Sequence, residues 1–225
     1  MNAIFLILII AAFGLTIWAQ FRVKGTFNKY AEVPNMRGMS GYDAARHMLD
    51  SNGLHDVPIE PIAGVLTDHY DPVNRVVRLS EPVYYGTSIS AVSVACHEIG
   101  HAIQHKVHYP MLAIRHRIFP VVNFASGIAP LLLLAGFVFQ SFNLIGIGVL
   151  FFSVAVAFQL ITLPVEFNAS NRARDVMVAE GYVTHEEERS VGKVLNAAAL
   201  TYVAAALLSV LELARYLFLL FGNRD

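Results

Sequence analysis

Charge is what this chain has least of. Only 15% of its 225 residues are Asp, Glu, Lys or Arg, where ordinary soluble domains carry about 25%. With 56% hydrophobic residues and a mean hydropathy of +0.53, that shortage excludes a wholly soluble globule and implies a membrane protein with a modest polar part. What charge exists is balanced, at a formal net −1. No basic patch marks a nucleic-acid partner, and no excess of either sign selects an acidic or basic one. Cysteine is nearly missing as well: Cys96 is the only one, which rules out an intramolecular disulfide and suits a thiol-reducing compartment. Nor do the two halves repeat each other, and the apolar runs hold few charges. Both absences argue against a transporter.

Long apolar runs are abundant. Residues 4–21 carry no charge and are closed by Arg22 and Lys24, with Trp18 near the end where aromatic side chains gather at a membrane interface. The leader Met1-Asn2-Ala3 has no Lys or Arg and no small-x-small cleavage site follows, so the run reads as an uncleaved anchor rather than a signal peptide. From 118 to 163 the chain is almost wholly apolar, too long for one span. Gln140-Ser141-Phe142-Asn143 divides it into two of about twenty residues each, joined as a helical hairpin. A last run at 196–221 is rich in alanine in its first half, a small-residue surface of the kind that lets membrane helices approach closely. The expected fold is therefore mainly α and integral to a membrane, with about four transmembrane helices at 1–21, 118–139, 144–164 and 196–221 and polar portions at 22–117 and 165–195. In the last span Glu212 and Arg215 lie three apart, either as an ion pair or as the snorkelling end of a shorter span. Ten of the sixteen lysines and arginines fall between Arg22 and Arg117, and Arg172, Arg174, Arg189 and Lys193 lie in the second polar portion. Both portions are accordingly expected on the cytoplasmic side of a multi-pass cell-membrane protein.

Within the first polar portion, Ser40 is placed to cap a helix over 41–49 that ends at Asn52-Gly53. Val57-Pro58-Ile59-Glu60 and Gly64-Val65-Leu66 read as short strands or extended chain, with prolines that argue against a central position. Asp68-His69-Tyr70-Asp71-Pro72 supplies turn chemistry before an alternating strand at 75–80, and together these suggest a small β-hairpin. Thr87 or Ser88 then caps a helix running to about His108, with Pro110 beyond it. In the second portion a helix ends at Glu180-Gly181, and Thr184-His185-Glu186-Glu187 has the form of a capping box opening the last helix.

The helix after Ser88 carries His97-Glu98-Ile99-Gly100-His101. Histidines at i and i+4 share one helix face and can share one tetrahedral zinc, while the adjacent carboxylate can take a proton from zinc-bound water. The flanks Ser93-Val94-Ala95-Cys96 and Ile99-Gly100 are too apolar for a solvated polar face. Cys96 points about 100° away from its neighbour His97 on a helix, so it reads as a buried apolar residue. A catalytic zinc needs a third protein ligand. His105 sits two turns from His97, about 12 Å along the axis. An extended metzincin motif would need a glycine and a histidine where this chain has Gln104 and Val107. His105 and His108 are therefore expected to face solvent or headgroups. Among the acids on the same side, Glu186, Glu187 and Glu188 suit a helix N-terminus, and Glu180 a solvated helix end. Glu166 follows Leu163-Pro164-Val165 at the mouth of the third span, with Ala169, Ser170 and Ala173 forming a small face behind it. A charge at a membrane border in such a setting is a functional candidate.

These stretches, with Leu66-Thr67-Asp68-His69-Tyr70-Asp71-Pro72, Val77-Arg78-Leu79-Ser80, Leu163-Pro164-Val165-Glu166-Phe167-Asn168-Ala169-Ser170 and Ala197-Ala198-Ala199-Leu200-Thr201-Tyr202-Val203-Ala204, closely resemble the YugP-type neutral zinc metallopeptidases of bacterial membranes over nearly the whole chain. Glu166-Phe-Asn-Ala-Ser is more distantly similar to the Glu-x-x-Ala-Asp ligand motif of HtpX-like and CAAX prenyl proteases. The resemblance implies a zincin-like (gluzincin) catalytic portion, Zn²⁺ held by His97, His101 and Glu166, and Glu98 as general base. Ser170 stands where the distant relatives have Asp, and its hydroxyl would hydrogen-bond a zinc histidine.

The reaction expected is hydrolysis of peptide bonds in unfolded or membrane-adjacent protein at the cytoplasmic bilayer surface, as in membrane-protein quality control. Tyr202 is the first choice for the oxyanion donor, ahead of His69, Arg172 and Arg174, the two arginines equally suiting positive-inside anchors. Strand 76–80, as an exposed edge, would bind an extended substrate by strand addition. The competing reading is a non-catalytic zinc-binding scaffold or chaperone-like binder, in which Glu98 would have no task.

Overall fold

The structure, a computed structural model, describes residues 3–222; Met1 and Asn2 of the leader lie outside the described residues. In chain order the elements are α1 (Ala3–Ala31), α2 (Gly41–Ser51), β1 (Ile59–Ile62), β2 (His69–Asp71), β3 (Val76–Ser80), α3 (Glu81–Tyr84), α4 (Ile89–Lys106), α5 (Pro110–Val138), α6 (Phe142–Ala179) and α7 (His185–Phe221). α1, α5, α6 and α7 are long and apolar enough to cross a membrane by length and composition.

Each long helix outruns its apolar segment. α1 continues ten residues past Phe21, α5 begins at Pro110 rather than 118, and α6 passes through Pro164 without a break. Apolar spans and polar portions are thus joined by continuous helix; at Pro164 the ladder loses one bond, because proline has no N–H, yet the helix runs on. The stops are local and chemical. Ser40 accepts from the Asp43 N–H in a reciprocal capping box, and Thr184 does the same with Glu187 at the start of α7. Ser88 caps α4, and Gln140, in the left-handed region at φ 52°, turns the chain between α5 and α6.

α1 and α7 run antiparallel, with Phe5 near Phe218 (ring centroids 5.5 Å apart) and Arg22 near Lys193. Ala12 and Ala19 of α1 and Ala197, Ala199, Ala204 and Ala206 of α7 are buried, consistent with close approach through small residues. Where α5 turns back into α6, Leu133, Ile145 and Val149 pack with Leu213, Tyr216 and Leu220 of α7. Arg215 lies over the Tyr216 ring, 4.7 Å from its centroid, and makes no ion pair with Glu212 among the described residues. Of the two readings of Glu212 and Arg215, the ion pair is therefore not the one formed.

The polar portion is built on a second core. Met48, Leu79, Ile99, Met177 and Tyr182 are fully buried where α2, β3, α4 and the polar ends of α6 and α7 meet. The sheet has three strands in the order β1-β3-β2, with β2 antiparallel and β1 parallel to β3. Two expectations fail here. Gly64-Val65-Leu66 is a bend, with Gly64 at φ 111° and Leu66 at φ 58°. And β3 is the central strand, not an edge: Val76, Val77, Leu79 and Ser80 are all buried. The free edges belong to β1 and β2.

Candidate metal centre

α4 and α6 cross in direct backbone contact. Gly100 makes this possible, since a Cβ there would lie 2.6 Å from the Ala169 carbonyl oxygen. His97 and His101 flank Gly100, while Glu166 and Ser170 flank Ala169 one turn apart, so the crossing brings all four side chains together. Glu166 Oε2 lies 3.3 Å from His97 Nε2 and 3.5 Å from His101 Nε2, and the two imidazoles meet edge to face at 4.8 Å between centroids. One ligand atom from each of the three residues falls within 4.8 Å of the others, and they are the one such His/Cys/Asp/Glu group among the described residues.

This donor set fits a cation. Among the described residues Glu166 Oε2 is buried and has no hydrogen-bond partner, although a buried carboxylate oxygen is costly to leave unsatisfied. A zinc tetrahedron with bonds of about 2.0–2.1 Å has edges of about 3.4 Å, close to the two spacings seen. The outer nitrogens agree. His97 Nδ1 lies 3.1 Å from Ser170 Oγ, and His101 Nδ1 lies 3.0 Å from Gln104 Oε1. With the protons on Nδ1 donated to these oxygens, both Nε2 lone pairs face Glu166. Gln104 is itself fixed, its amide donating to Val165 O at 2.8 Å and Asn168 Oδ1 at 3.0 Å. Glu166 Oε1 accepts from Arg115 at 3.1 Å.

Glu98 is buried beside this group, and its Oε2 accepts the Tyr70 N–H at 3.1 Å. Burial pushes its carboxyl up to about 7, with the Glu166 and Asp68 carboxylates adding to the rise and His97 opposing it. Asp68 is raised too, again mainly by burial, against the Ser80 N–H and hydroxyl that it accepts. A cavity of about 550 Å³ opens over His97, Glu98, His101 and Glu166 and is walled by β2 on one side and by Leu112, Phe119 and Phe158 on the other. A smaller one of about 230 Å³ lies behind Glu98, and Tyr202, Asp68, His97 and Glu98 border both.

The remaining expectations divide. Tyr202 and His69 are in the cavity wall. Arg172 and Arg174 are not: Arg172 is bonded to Asn168 and Arg174 to Glu188. His105 does not face solvent. It lines the cavity, with Nδ1 2.8 Å from the Tyr70 hydroxyl and its ring 6.2 Å from that of His116. Burial and the Arg75 guanidinium lower its pKa. His108 is exposed, as expected, and Cys96 is buried. Glu180 is not simply solvated: it accepts from the Tyr182 hydroxyl at 2.7 Å and lies 3.1 Å from His47. Two residues of the site went unrecognised in the sequence, Gln104 and Arg115.

The profile of a family described as "Putative neutral zinc metallopeptidase" matches residues 5–221. The chain belongs to this family. It is also 61% identical over 222 residues, 99% of each chain, to a Bacillus subtilis (strain 168) protein named "Putative membrane protease YugP". No solved structure matches. With four apolar helices and a relative of that name at full length, this metallopeptidase-family chain is a membrane protein.

The crossing makes one substitution informative. Gly100→Ala should push α4 off the Ala169 backbone, at about 1–3 kcal/mol for overpacking, and pull His97 and His101 away from Glu166. A lower Tm together with substoichiometric zinc is the expected result. Full zinc at unchanged Tm would show that the crossing can relax.

Proposed function

We propose that this chain is a membrane-embedded zinc metalloprotease of gluzincin type, which hydrolyses peptide bonds in unfolded or membrane-adjacent protein at the cytoplasmic border of the bilayer. The observation that carries this reading is the orphaned, buried Glu166 Oε2 between two imidazole Nε2 atoms, with a buried carboxylate, Glu98, next to them. A site closed by four protein ligands would have no use for Glu98.

His97, His101 and Glu166 would hold Zn²⁺, with Ser170 and Gln104 fixing the two imidazoles and Arg115 the carboxylate. When bound, the metal supplies Lewis acidity and lowers the pKa of a water to near neutrality. Glu98 takes the proton of the attacking water and delivers it to the leaving amine. Its position is fixed by the Tyr70 N–H. That N–H points away from β3, so this edge of β2 faces the cavity; with the N–H taken by Glu98, the Tyr70 carbonyl on the same edge is the group suited to an extended substrate. Tyr202 offers its hydroxyl to the developing oxyanion.

The membrane border follows from where polarity changes along each helix: at Phe21-Arg22, Arg117-Ile118, Pro164-Glu166 and Lys193-Asn196. Arg115 touches Glu166, and the cavity behind Glu98 reaches Gln20 and Val23 of α1, so all four changes lie around the metal group. Leu112, Phe119 and Phe158 continue the wall toward the spans, as a chain leaving the bilayer would require. The cytoplasmic side rests on the lysine and arginine distribution, and a role in membrane-protein quality control on the location.

The test is direct. The purified full-length protein should carry one zinc, cleave unfolded casein, lose cleavage with chelator and regain it with zinc. Zinc binding without cleavage of any unfolded substrate would favour the scaffold reading. Outer partners should matter less than ligands. Gln104→Leu is expected to weaken zinc binding about 10–100-fold, and Ser170→Ala by less, because among the described residues the Ser170 hydroxyl has no second partner to hold it. Competition with a chelator of known affinity measures both. Unchanged affinity in Gln104→Leu would remove the amide from the account.

A further inference from the structure

Away from the metal group, the antiparallel pair α1 and α7 borders two adjoining open grooves at the level where both helices turn polar. The first, about 580 Å³, is lined by Trp18, Phe21, Arg22, Lys29 and Lys193. The second, about 400 Å³, shares Trp18, Arg22 and Lys193 and continues along Ala197 and Leu200 into the apolar part of α7. Three cations from two helices therefore border one hollow. Among the described residues none of them is paired with a carboxylate. The Arg22 guanidinium lies over the Trp18 ring, 5.3 Å from its centroid, and both side chains line the two grooves. Trp18 is 49% and Phe21 73% exposed.

From this arrangement we infer a binding site for the phosphate of an anionic phospholipid, held by Arg22, Lys29 and Lys193, with an acyl chain along the α1–α7 groove. Lys193 reaches the Tyr30 hydroxyl and Lys29 lies over the Tyr30 ring, but neither contact neutralises a charge, so three cations on one concave surface call for an anion, and a phosphate diester satisfies several donors at once. A free phosphate would use the polar hollow alone. The second cavity, running on past Ala197 and Leu200, and the exposed rings of Trp18 and Phe21 fit the glycerol and chain region of a lipid instead. Basic hollows between membrane helices on the positively charged side are suited to such headgroups. The site shares no residue with the metal group, so it stands whether or not the chain is a peptidase.

Native mass spectrometry of the full-length protein in detergent tests this, using phosphatidylglycerol and phosphatidylcholine with identical chains. The wild type should retain phosphatidylglycerol in preference to phosphatidylcholine by roughly tenfold or more, and 10 mM inorganic phosphate should not displace it. The variant R22Q/K29Q/K193Q should lose the preference. Lys24→Gln should keep it, because that substitution removes a positive charge lying outside the hollow. Equal retention of the two lipids overturns the proposal, as does a preference that survives the triple variant or falls equally with Lys24→Gln. Displacement by inorganic phosphate would assign the hollow to a free anion. If circular dichroism shows the triple variant unfolded, Lys29→Gln alone, at an exposed position, should lower the preference several-fold, and no change in it overturns the site.

Discussion

Glu98→Gln is expected to keep the metal and lose the reaction, by about 10²–10⁴-fold in kcat/KM. The substitution changes one oxygen for an amide nitrogen and leaves volume nearly untouched, so the buried slot stays filled. Its remaining carbonyl oxygen can still accept the Tyr70 N–H that now reaches Glu98 Oε2. Neither ligand imidazole is altered, since the hydrogen bonds that orient them come from Ser170 and Gln104. The proton acceptor is what disappears. The wild type is even strained in its favour: burial and two neighbouring carboxylates oppose the charge on Glu98, and removing that charge should leave stability equal or slightly higher. Equal zinc content, an unchanged or raised Tm and no casein cleavage form the expected set. Cleavage at the wild-type rate by the variant would remove Glu98 from the mechanism. Loss of zinc along with activity would mean that Glu98 acts through the ligands.

What was legible in the sequence follows the range of the forces involved. The long helices are written locally, in apolar runs, and so are the starts of α2, α4 and α7, in Ser40, Ser88 and Thr184 at the caps. The convergence of His97 with His101 is likewise local, a matter of helix pitch. Strand order is not local. β1 pairs with β3 in parallel across an intervening β2, and nothing in Ile59-Glu60-Pro61-Ile62 names its partner. The Pro61 ring suits an edge, which β1 is, but the edge status wrongly expected of β3 depended on pairing that only the tertiary structure decides. Gln104 stands where another motif has glycine, and that comparison hides its own role. A lone amide three residues after His101, in a stretch as apolar as Ala102-Ile103, was the available signal. Arg115 had no such signal, because a basic residue just before a span looks like an interfacial anchor until α6 brings Glu166 within 3.1 Å. Helix pitch keeps His105 out of the group formed by His97, His101 and Glu166, yet pitch says nothing about the Tyr70 hydroxyl that lies 2.8 Å from its ring in the cavity wall.

Glu166→Gln should remove the stability that zinc adds to the folded protein. Without metal, Glu166 is a carboxylate whose side chain is 3% exposed, with one oxygen on Arg115 and the other 3.3 Å and 3.5 Å from the His97 and His101 Nε2 atoms. Burial opposes its charge, but the two imidazoles outweigh burial and hold its carboxyl well below the usual carboxylate range, so a neutral amide gives up an attraction that favours the fold, although Gln can still offer an oxygen to Arg115. The metal-free variant is therefore expected to melt at or below the metal-free wild type. With zinc the gap widens. A metal that binds only the folded state adds RT ln(1 + [L]/Kd), about 2.7 kcal/mol at a hundredfold excess over Kd, and this gain belongs to the wild type because a neutral amide is a poor zinc ligand. The affinity loss should exceed the 10–100-fold typical of an outer partner, which sets it apart from Gln104→Leu. Melting curves with zinc and with chelator measure all four states. A chelator-induced fall in Tm for the wild type, absent in Glu166→Gln, assigns the third ligand. Equal falls in both would leave zinc on the two histidines and return Glu166 to Arg115 as a structural partner.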